Sequence, residues 1–411
     1  MKTELASQAG FDAWVKKVRG DFPFFADSNL VYFDNAATTL RPRAIQEAKS
    51  SLYGNINRSS NQLARKTTEA FEKVRTQIKD FLHAKDSEEI IFTSGTTGGI
   101  NMIATILGRS TLLNSGDEIL ISEIEHHSNI LPWHLLEKEK GLKVKTFKVR
   151  NDGYFDFNDF QEKVTSKVKL IAVTMASNVL GQVIDLKPYV KLAHERGALI
   201  LVDGAQIVSH RRLNLIDLDC DFFVFSAHKS CGPTGLGICY GKSALLQELP
   251  PYQVGGGMVR EIRGGDSEFE SIPLKFEAGT PNISGVIELG EALSYLDRIG
   301  WEQIRKHEER LKRELINTIQ DFPWLQIAGD RHLERIPLIS FYSNKVASLD
   351  IEVILDQQGI LTRSGYLCSS PLFHALNIPR VIRVSAMFYN SIEEIKLLRE
   401  ALKTVEKIFR L

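Results

Sequence analysis

The chain is poor in cysteine and has no excess charge of either sign. Only Cys220, Cys231, Cys239 and Cys368 occur in 411 residues. None forms a C-x-x-C pair, which argues against a zinc knuckle or a thioredoxin-like site. The expectation is a set of reduced thiols and no bound metal. Lys plus Arg and Asp plus Glu number 51 each. That balance gives no electrostatic case for nucleic acid or an anionic membrane. The opening MKTELASQAGFDAW lacks the apolar stretch of a secretory signal. No uncharged apolar run approaches the roughly 20 residues that span a bilayer. Short repeats, low-complexity tracts and Pro-rich linkers are missing too. These absences lead to the expectation of a cytoplasmic protein.

What is present is an ordinary globular composition, 43% apolar and 25% charged, with length for a large domain and a smaller companion. From about 70 to 240, helical and strand patterns alternate. Glu69 to Leu82 has the spacing of a helix, with Ala70, Phe71, Val74, Ile78 and Leu82 able to share a face. Short apolar strands are expected at 89–94, 117–122, 142–149, 169–176, 198–203 and 221–226. A helix from Leu186 to Arg196 should stop at Gly197. Buried strands alternating with helices predict a mostly parallel sheet covered on both faces. After about 290 the pattern changes. A long helical region (286–320), a strand (337–343), a helix (349–358), strands near 361 and 381, and a final helix predict a smaller α+β unit. The expected division is 31–290 for the large domain and 1–30 plus 291–411 for the small one.

Ligands of such sheets bind beyond the carboxyl ends of the strands. Those ends carry Gly95-Thr96-Thr97, Glu125-His126-His127, Ser177-Asn178, Asp203-Gly204-Ala205-Gln206 and Ser226-Ala227-His228-Lys229. A desolvated lysine has a lowered pKa and attacks an aldehyde to form an imine. A buried carboxylate favours a protonated pyridine nitrogen. An imidazole can stack on a ring and move protons. A helix start flanked by threonines binds phosphate. Each residue also has a plainer reading: Lys229 as a solvated lysine, Asp203 as a helix cap, Thr96 and Thr97 as a capping turn. His126 and His127 read equally as metal ligands or core histidines, and Asn178 as a turn residue. Read jointly, the strand ends point to a phosphorylated pyridine aldehyde, pyridoxal phosphate (PLP), on Lys229. Further on, Arg383 and Arg363 offer guanidinium forks for a carboxylate, or surface ion pairs. Cys368 sits among Gly, Ser and Pro, as a loop thiol would. Cys220 and Cys239 lie in apolar strands, where thiols pack as small hydrophobes, and Cys231, close to Lys229, lies in a rigid-looking KSCGPTG turn that gives it no obvious reach.

VYFDNAATT (31–39), SGTTGGIN (94–101), EHHSNILPW (125–133), SNVLGQV (177–183), LVDGAQ (201–206), DFFVFSAHKSCGPTGLG (221–237), FEAGTPN (276–282), RSGYLC (363–368) and RVSAMFYN (383–390) follow in order. With them the chain resembles class V PLP-dependent enzymes, and among these the Suf-type (group II) cysteine desulfurases, from Val31 to the C-terminus. The stretch from Gly255 to Phe276 resembles the longer segment of group II enzymes. The resemblance implies fold type I with a seven-stranded sheet and a smaller C-terminal domain. It implies Lys229 carrying PLP as a Schiff base and Asp203 on the pyridine nitrogen. Gln206 would contact the ring oxygen with Asn178 nearby, and His126 would stack on the ring. Thr96, Thr97, Ser226 and His228 would hold phosphate. Thr280 would reach the phosphate of a neighbouring subunit, hence a homodimer. Arg383, with Arg363 and Asn178, would bind the substrate, and Cys368 would be the nucleophile. The implied reaction converts L-cysteine to L-alanine and leaves a persulfide on Cys368 for a Suf-type sulfur-acceptor protein, in iron–sulfur assembly or another sulfur-transfer route. A class V aminotransferase, or a selenocysteine or cysteine-sulfinate lyase, is the alternative on the same fold. The chain departs from the family at Leu367, where a histidine usually precedes the cysteine. It departs also at Asn57-Arg58-Ser59 and Asn61, at Gly98, and at Met175.

Overall fold

In the computed structural model, residues 8–52 and 61–411 are described; Asn57, Arg58 and Ser59 lie outside them. Seven strands form the central sheet: β1 (Ile90–Thr93), β2 (Glu118–Ser122), β3 (Lys143–Phe147), β4 (Val168–Thr174), β5 (Leu199–Asp203), β6 (Phe222–Ser226) and β7 (Gly237–Gly241). Their spatial order is β1-β7-β6-β5-β4-β2-β3. Strands β2 to β6 pair in parallel, and β7 runs against both of its neighbours. The mostly parallel sheet expected from sequence is therefore present. Strands β5 and β6 are buried almost throughout, as apolar runs covered on both faces must be. Strand β3 alternates Lys143, Lys145 and Phe147, and only Phe147 is buried. Its lysines blunt an edge that would otherwise invite pairing with another chain.

The two sheet faces sort the sequence by alternation. Ile171, Val173, Ile200, Val202, Phe223 and Phe225 pack with Phe71, Val74 and Ile78 of α1 (Gln62–Leu82). Their sequence neighbours Leu170, Ala172, Leu201, Phe222 and Val224 pack with Ile100, Ile103 and Leu107 of α2 (Thr96–Arg109). The helix expected from Glu69 thus begins seven residues earlier, capped by Asn61, whose side chain accepts from the Ala64 N–H at 3.0 Å.

The helical region expected over 286–320 is two helices, α3 (Ile283–Ile299) and α4 (Trp301–Gln320). Gly300, at φ +92, breaks them; such a backbone angle comes at no steric cost only to glycine. Helix α3 buries Val286, Leu289 and Leu293 in the core of the large sheet. A second sheet follows, of β8 (Gln326–Ile327), β9 (Leu338–Tyr342), β10 (Arg363–Gly365) and β11 (Val381–Ser385). It is antiparallel, in the order β8-β9-β11-β10. Its core joins Ile339 and Val384 to Leu311 and Leu315 of α4 and to Leu398, Leu402 and Val405 of the last helix, α5 (Ile392–Phe409). Val31–Tyr32 pairs in parallel with Ile360–Leu361, which ties the early chain to this unit. Within the Gly255–Phe276 stretch, Val259–Arg263 and Asp266–Phe269 form a hairpin. No helix among the described residues is long and apolar enough to cross a membrane.

Candidate active site

The carboxyl ends of β1, β2, β4, β5 and β6 open into one cavity of about 330 Å³. Thr96 and Thr97, His126, Asn178, Asp203 and Gln206, and Ser226, His228 and Lys229 all line it. From the small sheet come Arg363, Cys368 and Arg383. Every candidate named from sequence is thus brought together except Thr280 and His127, which do not line it. Thr280 is exposed and lines a separate depression with Ser94, Gly235 and Tyr252.

Lys229 ends a short 3₁₀ turn, Ala227–Lys229, directly after β6. Burial pushes its amine down to about 8, against the pull of Asp203. Asp203 ends β5 and is 4% exposed. Burial raises its pKa, opposed by the Ala205 N–H that donates to Oδ1 at 2.8 Å and by the Lys229 charge. No helix begins directly after β5, so this bond holds a turn and Asp203 is not the helix cap of its plainer reading. Gln206 donates from Nε2 to the Ala36 carbonyl at 3.0 Å.

The end of the cavity at the start of α2 is built by close backbone approach. A Cβ on Gly237 would fall 2.4 Å from the Gly95 Cα, so only glycine lets β7 pass this close to the start of α2. The Thr96 N–H donates to Ser226 Oγ at 2.8 Å, and the two hydroxyls lie 2.7 Å apart. Thr97 Oγ1 meets Ser128 Oγ at 2.7 Å. His228 fixes Thr39 through its carbonyl, which accepts the Thr39 N–H at 3.0 Å. Burial and the Lys229 charge hold the His228 imidazole down at about 4, and the same two causes hold His126 there. Both rings are therefore neutral at pH 7. His126 Nδ1 accepts the Ser128 N–H at 3.1 Å, which leaves the proton on Nε2.

Sequence reasoning missed Asp34. Its Oδ1 accepts from Arg383 Nη2 at 2.8 Å, and its Oδ2 accepts from Arg363 Nε at 2.9 Å. Arg383 also donates from Nη1 to the Asn178 carbonyl at 3.1 Å, and it is 3% exposed. Both arginines are ion-paired through one shared carboxylate; the Arg363 side chain is half exposed, but the Arg383 pair is buried and so is not the surface pair of its plainer reading. Glu125 was passed over too. It is fully buried and accepts from Asn129 Nδ2 at 2.7 Å and the Thr174 N–H at 3.0 Å. Burial nonetheless pushes its carboxyl up to about 8. Its signal was its position directly before His126.

Cys368 is the exposed thiol; Cys220, Cys231 and Cys239 are buried. No group of three or more His, Cys, Asp or Glu among the described residues is arranged to hold a metal.

The sequence profile of the family described as "Aminotransferase class-V" matches residues 31–398. The chain belongs to that family. It is 38% identical to the probable cysteine desulfurase of Halalkalibacterium halodurans over 386 residues, 93% of this chain and 94% of that one. It is 37% identical to the cysteine desulfurase of Dickeya dadantii over 403 residues, 96% and 97% of the two chains. Among solved structures, the apo cysteine desulfurase of Thermococcus onnurineus superposes with a TM-score of 0.90 at 33% identity, covering 95% of this chain and 98% of that one. CsdA, a cysteine desulfurase of Escherichia coli, gives 0.89 at 33% identity, covering 96% and 98%. The fold class expected from sequence is that of these proteins.

Proposed function

We propose that the protein is a PLP-dependent cysteine desulfurase. The observation that carries this reading is that Lys229 and Cys368, from different sheets, line one cavity with Arg383.

The residues present fit the cofactor. Lys229 has an amine of depressed pKa for the aldehyde. Asp203, a buried carboxylate lining the cavity, would face the ring nitrogen, and Gln206 and Asn178 would flank the ring oxygen. His126, neutral, would stack on the ring. Thr96, Thr97, Ser226 and His228 would hold the phosphate at the start of α2. When bound, PLP supplies an electron sink for charge developing on the substrate's α-carbon.

The protein's own groups do the rest. With an amine titrating near 8, Lys229 takes and returns a proton close to neutral pH. Arg383 and Arg363, both held by Asp34, form the cationic side that orients the substrate carboxylate with Asn178. The Cys368 thiolate attacks the substrate sulfur. The carbon–sulfur bond breaks, its electron pair stays with carbon, and a proton completes the methyl group of alanine. The second sulfur remains on Cys368 as a persulfide.

The same reading extends to partners. An exposed Cys368 suits hand-over to a sulfur-acceptor protein of the Suf type, feeding iron–sulfur cluster assembly in the cytoplasm. An exposed Thr280 outside the cavity of its own chain suits a homodimer in which it serves the partner's phosphate. The division proposed is a large unit, 31–290, and a small one, 1–30 with 291–411; the pairing of Val31–Tyr32 with Ile360–Leu361 and the position of residue 290 inside α3 favour boundaries just after Tyr32 and at the Gly300 break.

The test is to incubate the protein with L-cysteine and a thiol reductant and measure alanine and sulfide for wild type and Cys368→Ser. Turnover in wild type and none in the variant is expected. Turnover that survives Cys368→Ser would overturn the persulfide route and favour a lyase. A PLP absorbance band without turnover, followed by amino transfer to a keto acid, would favour an aminotransferase.

A further inference from the structure

The backbone that presents Cys368 is held in a conformation it would not choose. Leu367 and Cys368 are consecutive residues in the left-handed region, at φ +51 and +56. Neither is Gly, Asn or Asp, and such residues persist there only where their surroundings hold them. Four of the bonds that fix this segment come from two residues at the strand ends of the large sheet. Asn178 donates from Nδ2 to the Leu367 carbonyl at 2.7 Å, and its Oδ1 accepts from the Ser369 hydroxyl at 3.0 Å. His127 donates its N–H to the Cys368 carbonyl at 2.7 Å. Its ring nitrogen Nε2 accepts the Ser370 N–H at 3.3 Å and lies 3.1 Å from Ser370 Oγ. Ser370 opens the helix Ser370–Leu376, so its N–H has no partner within that helix. The carbonyls of Leu367 and Cys368 are thus both bound while the thiol itself stays exposed.

We propose that His127 is a positioning residue for Cys368. Its imidazole closes a latch, with Asn178 as the opposite jaw, that keeps residues 367–370 strained and holds the thiol at the Lys229 cavity. This assigns work to the second histidine of the EHHSN stretch, next to a cysteine preceded by Leu367. It rests on Cys368 as the nucleophile only where turnover is read.

The experiment compares full-length holoenzyme carrying His127→Ala, His127→Gln, Ser370→Ala, and His127→Ala combined with Leu367→Gly. The PLP absorbance band reports that the cavity is intact. The first readout is the rate at which iodoacetamide alkylates Cys368, followed by mass in the absence of L-cysteine. His127→Ala is expected to change that rate roughly five-fold or more as the strained backbone relaxes. Ser370→Ala, which keeps the N–H, should change it less. His127→Gln retains an acceptor for the Ser370 N–H and should return it toward wild type. The second readout is turnover of L-cysteine. His127→Ala should lower kcat roughly ten- to a hundred-fold with KM within about twofold. Leu367→Gly, which tolerates positive φ, should recover part of that loss. An alkylation rate within about twofold of wild type in both His127→Ala and Ser370→Ala would overturn the latch. So would a loss confined to KM, or a glutamine variant indistinguishable from alanine. Failure of the desulfurase reading would silence the turnover readout and leave the alkylation readout intact.

Discussion

Asp34 Oδ1 and Arg383 Nη2 lie 2.8 Å apart, with the two side chains 12% and 4% exposed. The carboxylate comes from the end of the early Val31–Tyr32 strand and the guanidinium from β11. One carboxylate thereby fixes both arginines of the cavity, since Arg363 Nη2 also lies 2.9 Å from Asp34 Oδ2.

Asp34→Ala should therefore cost twice. Removing one partner of a buried pair leaves a charge without compensation, and about 3–5 kcal/mol of stability should be lost. The midpoint of urea unfolding reads this. If the arginines bind the substrate carboxylate, KM for L-cysteine should rise more than kcat falls, since freed guanidiniums no longer share one orientation. Unchanged stability would show that the pair is not formed in solution.

Lys229 sets a pH window. Its amine titrates near 8 in the folded chain, against an ordinary lysine value of 10.5. Between those values the unfolded chain binds the extra proton, so stability rises with pH across that window and carries the full burial cost below 8. The same shift makes the neutral amine abundant above 8. Cofactor-free protein should take up PLP, followed by absorbance, at a rate that climbs through pH 8 and levels by about pH 9. Lys229→Ala should show no such rise.

The four thiols should behave as two classes. Burial pushes Cys231 up to about 12 and lifts Cys220 and Cys239 well above the ordinary range. Only thiolates react quickly. Native protein treated with iodoacetamide at pH 7.5 should gain a single adduct, and Cys368→Ser should gain none. Unfolding in urea should expose all four cysteines. A second adduct on the native chain would contradict the burial of the other three.

How much of this was legible follows from where each residue sits. Thr96, His126, Asn178, Asp203 and Lys229 all stand just past apolar strands, and a parallel sheet gathers the ends of its strands at one edge. Arg383 and Cys368 follow no such rule: guanidinium chemistry and a Gly/Ser/Pro context singled them out, and resemblance to a family gave them their roles. Asp34 was invisible: its partners are 329 and 349 residues away, and no local pattern announces a long-range ion pair. The break at Gly300 was hidden for the opposite reason. A glycine is tolerated inside a helical pattern, and only the backbone angle shows that this one ends α3. The hold of His127 and Asn178 on the Cys368 segment needed coordinates, because the bonds run through backbone carbonyls that every residue type carries.

Acid should weaken the fold through its buried imidazoles. His126, His228 and His307 are each pushed down to about 4, burial being the largest cause. The unfolded chain takes these protons near the ordinary value of 6.5, while the folded chain resists them until about 4. Their contribution is complete above 6.5 and is lost as pH falls from 6.5 to 4. His307 is 1% exposed and its Nε2 donates to the Asn390 carbonyl at 2.8 Å, so it should dominate. His307→Gln keeps an N–H donor but cannot take a proton. Its urea midpoint should fall less steeply between pH 6.5 and 4.5 than that of wild type, by an amount worth about 1–3 kcal/mol. Parallel curves for the two proteins would assign the acid sensitivity to other groups.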